Sequence, residues 1–121
     1  MKTCLIIDDS RVIRKVACRI LKELSFDAVE AENGAAGLMA CRKQMPDLIL
    51  LDWNLPQVSG LDFLKALRSE TRGNHPIVVL CTTENDVTDI SEAVAAGADE
   101  YILKPFDRST LQAKLADVGL A

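Results

Sequence analysis

The chain lacks an apolar stretch of membrane length. Its longest apolar runs, Cys4-Leu5-Ile6-Ile7 and Ile77-Val78-Val79-Leu80-Cys81, fall far short of the roughly 18 residues that a spanning helix needs, so no membrane association is expected. A secretory leader is missing as well. Met1-Lys2-Thr3 is followed by four apolar residues and then Asp8-Asp9, whereas an export segment needs an apolar core of at least about seven; the expected location is the cytoplasm. There is no excess of positive charge. Fourteen Lys and Arg against 18 Asp and Glu give a net charge of −4, which argues against a surface that tracks nucleic-acid phosphates. No C-x-x-C pair occurs among Cys4, Cys18, Cys41 and Cys81, so a zinc site is not expected and the thiols read as buried core groups. Repeats and low-complexity tracts are also lacking. With 121 residues against a typical domain of about 150, residues 1–121 are read as one domain without an attached output domain.

What is present is a regular alternation. Short apolar or β-branched runs at Cys4 to Ile7, Ala28 to Ala31, Leu48 to Leu51, Ile77 to Cys81 and Tyr101 to Leu103 predict five strands. Between and after them lie helical spacings: Val12, Ile13, Val16, Ile20, Leu21 and Leu24; Leu38, Cys41 and Met45; Leu61, Leu64 and Leu67; Val87, Ile90 and Val94; Leu111, Leu115 and Val118. Their period is close to that of a helix burying one stripe. Strands that are continuous apolar runs, each followed by a helix, imply a mostly parallel sheet covered on both faces. The predicted class is therefore α/β, doubly wound. Punctuation agrees, with Ser10 as a cap of the first helix, Asn33-Gly34 opening the second, Gly60 preceding the third, Gly97 ending the fourth and Pro105 after the last strand.

The polar residues at the ends of these strands carry the functional signal. Asp8 and Asp9 follow the first strand, Asp52 the third, Thr82 the fourth and Lys104 the fifth. All fall at strand carboxyl ends, where open α/β sheets bind their ligands. Singly, each has a plain explanation: a charged helix cap for Asp8-Asp9-Ser10, a turn former for Asp52, a strand-end hydroxyl for Thr82, a solvated charge for Lys104. Their joint placement at one sheet edge favours one assembled site. Carboxylates gathered there at about 4 Å repel by roughly 4 kcal/mol per pair at an effective dielectric near 20. Such a group calls for a cation, and hard oxygen donors without His or thiolate suit partly hydrated Mg²⁺. Mg²⁺ beside carboxylates, a lysine and a hydroxyl points to phosphoryl chemistry, with an aspartate as a possible nucleophile.

Asp8-Asp9, Asp52, Thr82 and Lys104-Pro105 at this spacing resemble the response-regulator receiver family of two-component signalling, over essentially Leu5 to Val118. The segments Asp52-Trp53-Asn54-Leu55-Pro56 and Gly97 to Phe106 are similar to its chemotaxis-type, single-domain members. The resemblance implies a flavodoxin-like, five-stranded parallel sheet of order 2-1-3-4-5 with five helices. It implies Asp52 as phosphoacceptor, receiving a phosphoryl group from a sensor histidine kinase or phosphotransfer protein. Mg²⁺ would be held by Asp9 and Asp52 side chains, by the Asn54 backbone carbonyl and by Asp8 through water. Lys104 and Thr82 would contact the phosphoryl oxygens, Thr82 and Tyr101 would form the switch, and Asn54 and Glu84 would tune dephosphorylation. Trp53, beside Asp52, would report on the site. Thr83 departs from the small residue common after the switch threonine, which implies narrower access to Asp52.

The output expected from the resemblance is a changed surface of the fourth helix, fifth strand and fifth helix, read by a downstream protein, with a flagellar motor switch as the first candidate and the chain a monomer. A phosphorelay intermediate, phosphate sink or adaptor remains as an alternative. An aspartyl-phosphate phosphatase is disfavoured because Asn54 stands where such enzymes often carry an acid. A flavin mononucleotide carrier would need a hydroxyl- and glycine-rich phosphate loop where Asp8-Asp9-Ser10 stands.

Overall fold

A computed structural model describes residues 2–83 and 87–120. The apolar runs form strands that alternate with helices throughout: β1 (Lys2–Ile7), α1 (Arg11–Glu23), β2 (Phe26–Ala31), α2 (Gly34–Lys43), β3 (Leu48–Asp52), α3 (Gly60–Ser69), β4 (Ile77–Thr82), α4 (Val87–Ala96), β5 (Glu100–Leu103) and α5 (Arg108–Asp117). The five strands pair in parallel in the order β2-β1-β3-β4-β5, so the fold is flavodoxin-like. Pairing extends the strands past the apolar runs. Lys2 and Thr3 join β1 because they pair with Phe26 and Asp27. At the other end, Asp52 pairs with Cys81 and Thr82 with Leu103, which makes Asp52 and Thr82 the last strand residues rather than the first after them. Among the described residues, no helix is long and apolar enough to cross a membrane.

Side chains alternate across the sheet, and each face builds a core. Leu5, Ile7, Ile49, Leu51, Val78 and Leu80 meet Phe63, Leu64 and Leu67 of α3, Cys41 of α2 and Ala93 of α4. On the other face Cys4, Ile6, Leu48, Leu50, Val79, Cys81 and Ile102 meet Ala17, Ile20 and Leu21 of α1 and Leu111 and Leu115 of α5. Each such leucine or isoleucine contributes about 1.5–3 kcal/mol by leaving water. Three thiols, Cys4, Cys41 and Cys81, are buried in these layers, while Cys18 is half-buried and all four are free. The helical stripes are narrower than the spacing suggests: Val12, Val16 and Val94 are exposed. On α1 the shift has a local cause, because Ala17, Ile20 and Leu21 already fill the contact with the sheet. On α4 the small Ala93 takes the inward position.

Helix starts follow local chemistry. Ser10, Asn33, Ser59 and Asp107 each accept from a backbone N–H in the first turn. Ser59 therefore caps α3, and Gly60, expected to precede the helix, is its first residue. Its lack of a side chain is required: a Cβ there would lie 2.9 Å from Trp53 Cα and 3.0 Å from the Asp52 carbonyl oxygen. Gly97 ends α4 with φ +113°, the left-handed region that glycine enters without a Cβ clash.

Arg68, at the end of α3, fastens two loops. Its guanidinium donates to the carbonyls of Gly73 and Pro76 at 2.9 Å each and to Gly97 at 2.6 Å, and meets Asp99 Oδ2 at 3.2 Å. Asp99 Oδ2 in turn accepts from Val78 N–H at 2.8 Å, so the start of β4 and the turn into β5 are held together. Arg68→Met keeps the aliphatic stem but leaves these carbonyls unpaired, and is expected to lower stability by about 2–3 kcal/mol. Urea unfolding of both proteins measures it; an unchanged midpoint would show that water replaces the guanidinium without loss.

Candidate functional site

Strand register assembles the site. Ile7 pairs with Leu51, so the next residues along, Asp8 and Asp52, stand side by side at the carboxyl edge. Cys81 lies beside Asp52 and Leu103 beside Thr82, and Lys104 N–H donates to the Thr82 carbonyl at 2.8 Å. Three parallel strands thus deliver an aspartate, a threonine and a lysine to the same edge, and the turn after β1 adds the other two carboxylates. Asp8, Asp52 and Thr82 are 2%, 5% and 4% exposed, a degree of burial that ionised or polar groups tolerate only with partners.

Lys104 supplies the partner charge. Its Nζ lies 3.0 Å from Asp8 Oδ2 and 3.3 Å from Asp52 Oδ1, so it bridges two carboxylates and sits closer to Asp8 than to Asp52. Asp8 Oδ1 accepts from Ser10 N–H at 2.9 Å, and Asp52 Oδ1 accepts from Asn54 N–H at 3.3 Å. Burial raises the Asp52 carboxyl above the usual range, the charge of Asp8 raises it further, and Lys104 and the Asn54 N–H offset only part of this. Burial lowers the Lys104 ammonium, but the Asp8 hydrogen bond and the charges of Asp52 and Asp8 outweigh it, so the net shift is upward.

One ammonium does not balance three carboxylates. Oxygens of Asp8, Asp9 and Asp52 lie within 4.8 Å of one another, and all are hard donors, so the donor set fits Mg²⁺. Asp9 is exposed and gives the cluster its open side. Asn54 is exposed in the turn after β3, and Thr83 is exposed after β4. Glu84 lies outside the described residues.

Trp53 is buried in the core layer under α3, its backbone N–H donating to the Cys81 carbonyl at 3.3 Å. Cys81 belongs to the opposite core layer, and burial pushes its thiol up to about 12; it is a core group. Tyr101 is half-buried on β5, with Lys114 Nζ 4.7 Å from its ring centroid. Val94 of α4, which lines a cavity with Tyr101, and Leu103 of β5 are exposed. One neighbour of the site was not legible in the sequence: Arg14, which donates to the Asp8 carbonyl at 2.8 Å. Only an arginine two residues ahead of an exposed valine marks it in sequence, and that is no signal.

Comparison with known proteins agrees with this geometry. Residues 4–116 match the family model for the response regulator receiver domain. The phosphate regulon transcriptional regulatory protein PhoB of Klebsiella pneumoniae is 38% identical over 94% of the chain, which spans about half (50%) of that relative. The chemotaxis protein CheY-3 of Vibrio cholerae is 37% identical, covering 92% of this chain and 86% of the relative. The solved structure of Vibrio cholerae chemotaxis protein CheY4 superposes with a TM-score of 0.93 at 30% identity over 98% of both chains.

The electrostatics yield two expectations for metal-free protein. Because Asp52 has a raised folded-state pKa, the native state binds its proton more readily than the unfolded chain, so ionised Asp52 is a net cost above that pKa and the cost is relieved as pH falls. Asp52→Asn is therefore expected to raise the urea midpoint at neutral pH, with the gap to wild type closing toward about pH 4; a gap constant across this range would contradict the assignment. Lys104→Met removes the shared cation and is expected to cost about 3–5 kcal/mol, with Mg²⁺ restoring part of it, read from the same unfolding curves.

Proposed function

The chain belongs to the response regulator receiver family, and from that membership we propose that Asp52 is its phosphoacceptor and that the signal it carries belongs to chemotaxis. The phosphoacceptor chemistry is self-modification: the chain is changed by the reaction and does not turn over a small substrate. The observation that carries the assignment is Asp52 itself, a buried carboxylate at the end of β3 flanked by Lys104, Thr82 and two further aspartates. Its oxygen attacks the phosphorus of a phosphohistidine on a sensor kinase or phosphotransfer protein. An O–P bond forms as the N–P bond breaks, and the imidazole leaves. Bound Mg²⁺ would supply charge neutralisation, with Asp9 and Asp52 as side-chain ligands, the Asn54 carbonyl as another, and Asp8 acting through water.

Lys104 stands ready for the charge that builds on the phosphoryl oxygens, since its Nζ already lies 3.3 Å from Asp52 Oδ1. Thr82, at the end of the neighbouring strand, would donate its hydroxyl to a phosphoryl oxygen, with Tyr101 following as the second part of the switch. Asn54 and Glu84 are assigned to the control of phosphoryl lifetime. The exposed Val94 and Leu103 near Tyr101 support the α4, β5 and α5 side as the surface that a downstream protein reads. The match to the chemotaxis protein CheY-3 supports chemotaxis as the pathway, and a flagellar motor switch is the first candidate for that protein. A receiver acting in transcription-linked signalling is the second reading, favoured by the match of similar identity to the phosphate regulon regulator.

The test uses Trp53 emission with Mg²⁺ and beryllofluoride, a mimic of the phosphoryl group. Wild type is expected to respond to Mg²⁺ and then, only with Mg²⁺ present, to beryllofluoride, and Asp52→Asn is expected to give no beryllofluoride response. A response retained in the variant would remove Asp52 as the acceptor. Calorimetry of the beryllofluoride-loaded chain against the source organism's motor switch protein then separates the two pathways, binding supporting chemotaxis and its absence favouring the second reading.

A further inference from the structure

Two of the three clustered carboxylates sit on the short turn between β1 and α1, and they are held differently. Every hydrogen-bonding group of Asp8 has a partner: its N–H donates to Ala31 O at 3.1 Å, its Oδ1 and Oδ2 accept from Ser10 and Lys104, and its carbonyl accepts from Arg14 Nη1 at 2.8 Å. Asp9 is exposed, and its side chain has no hydrogen bond or ion pair among the described residues. The place of Asp9 is therefore set by its backbone. The peptide joining Asp8 to Asp9 is planar, so fixing the Asp8 carbonyl fixes the direction in which Asp9 leaves.

Arg14 is fixed in turn. Its Nε donates to Glu30 Oε1 at 3.1 Å, and the two side chains are only 14% and 24% exposed, which removes the pair from the class of freely solvated surface bridges. The other oxygen of Glu30 accepts from the exposed Lys15 at 2.8 Å. A chain of contacts thus runs from the edge strand β2, through Glu30 and Arg14 of α1, to the backbone of the acidic turn.

We propose that Arg14 and Glu30 are a positioning pair for the divalent-cation site, an inference that rests on the reading of Asp8, Asp9 and Asp52 as that site. Neither residue touches the cation. Glu30 orients the guanidinium, the guanidinium holds the Asp8 carbonyl, and the held peptide keeps an oxygen of Asp9 within 4.8 Å of those of Asp8 and Asp52. Mg²⁺ tolerates little departure from octahedral geometry, and loss of partners that orient its ligands commonly weakens binding by about 10–100-fold.

Mg²⁺ binding to the full chain is measured by calorimetry and by Trp53 emission for wild type, Arg14→Met, Glu30→Gln, the double variant and Lys15→Met, alongside metal-free urea midpoints. Arg14→Met is expected to weaken Mg²⁺ binding about tenfold and Glu30→Gln several-fold. The double variant is expected to be no weaker than Arg14→Met, because both changes break one route. Lys15→Met, which shares Glu30 without touching Asp8, is expected to bind as wild type. A purely structural role would lower the metal-free midpoints and leave Mg²⁺ affinity alone, and that result overturns the proposal. So does equal weakening in Lys15→Met, or additive losses in the double variant. If Arg14→Met does not fold, Glu30→Gln carries the test. A wild-type chain that binds no Mg²⁺ overturns the underlying site and the proposal with it, an outcome distinct from a wild type that binds and variants that bind equally.

Discussion

Two buried carboxylates at the ends of neighbouring strands share one ammonium, and the remaining architecture of the site follows from that arrangement. Separating Asp8, Asp52 and Lys104 from water is costly, and Lys104 repays the cost for both aspartates only because it reaches each within 3.3 Å. Burial and then the charge of Asp8, which together raise the Asp52 carboxyl, keep the site receptive to added positive charge. A site electrically complete in itself would have no use for a cation. On the proposed reading, the negative charge delivered with a phosphoryl group would be an event that neighbouring groups must answer.

That response has a path because the sheet is parallel and its register is tight. Asp8, Asp52, Thr82 and Lys104 come from four different strands or the residues just past them, so none can shift without engaging a ladder of backbone hydrogen bonds. Lys104 N–H to the Thr82 carbonyl links β4 to the end of β5. Tyr101 lies three residues earlier on β5, beneath Lys114. Charge at Asp52 is thus one strand away from Thr82 and two from Tyr101, and the exposed apolar residues lie beyond that.

Much of this was legible in the sequence because it depends on runs and ends. Strand existence followed from apolar runs, the parallel sheet from their alternation with helices, and the acidic edge from Asp8, Asp9 and Asp52 falling where the runs stop. What escaped depended on who faces whom. The spacing that marked Val12 and Val16 as an inward stripe is shared by both sides of a helix boundary, and only packing assigns the inward position to Ala17. Asp47 reads as a loop residue, yet it accepts from Thr3 N–H at 2.9 Å and meets His75 at 2.9 Å, closing the opposite end of the sheet. Arg14 and Arg68 are ordinary helical arginines in sequence; their reach to carbonyls on other elements appears only when the chain is folded.

The placement of the thiols has a consequence for the chemical environment in which such a switch can work. Burial pushes Cys41 up to about 11 and Cys81 up to about 12 and raises Cys4 as well, so these sulfurs stay protonated, and the thiolate is the form that peroxides and disulfides attack. Cys81 neighbours the acceptor strand without offering oxidants a handle on it. The half-buried Cys18 on α1 is left as the most accessible of the four sulfurs and the natural point for attaching a single reporter dye.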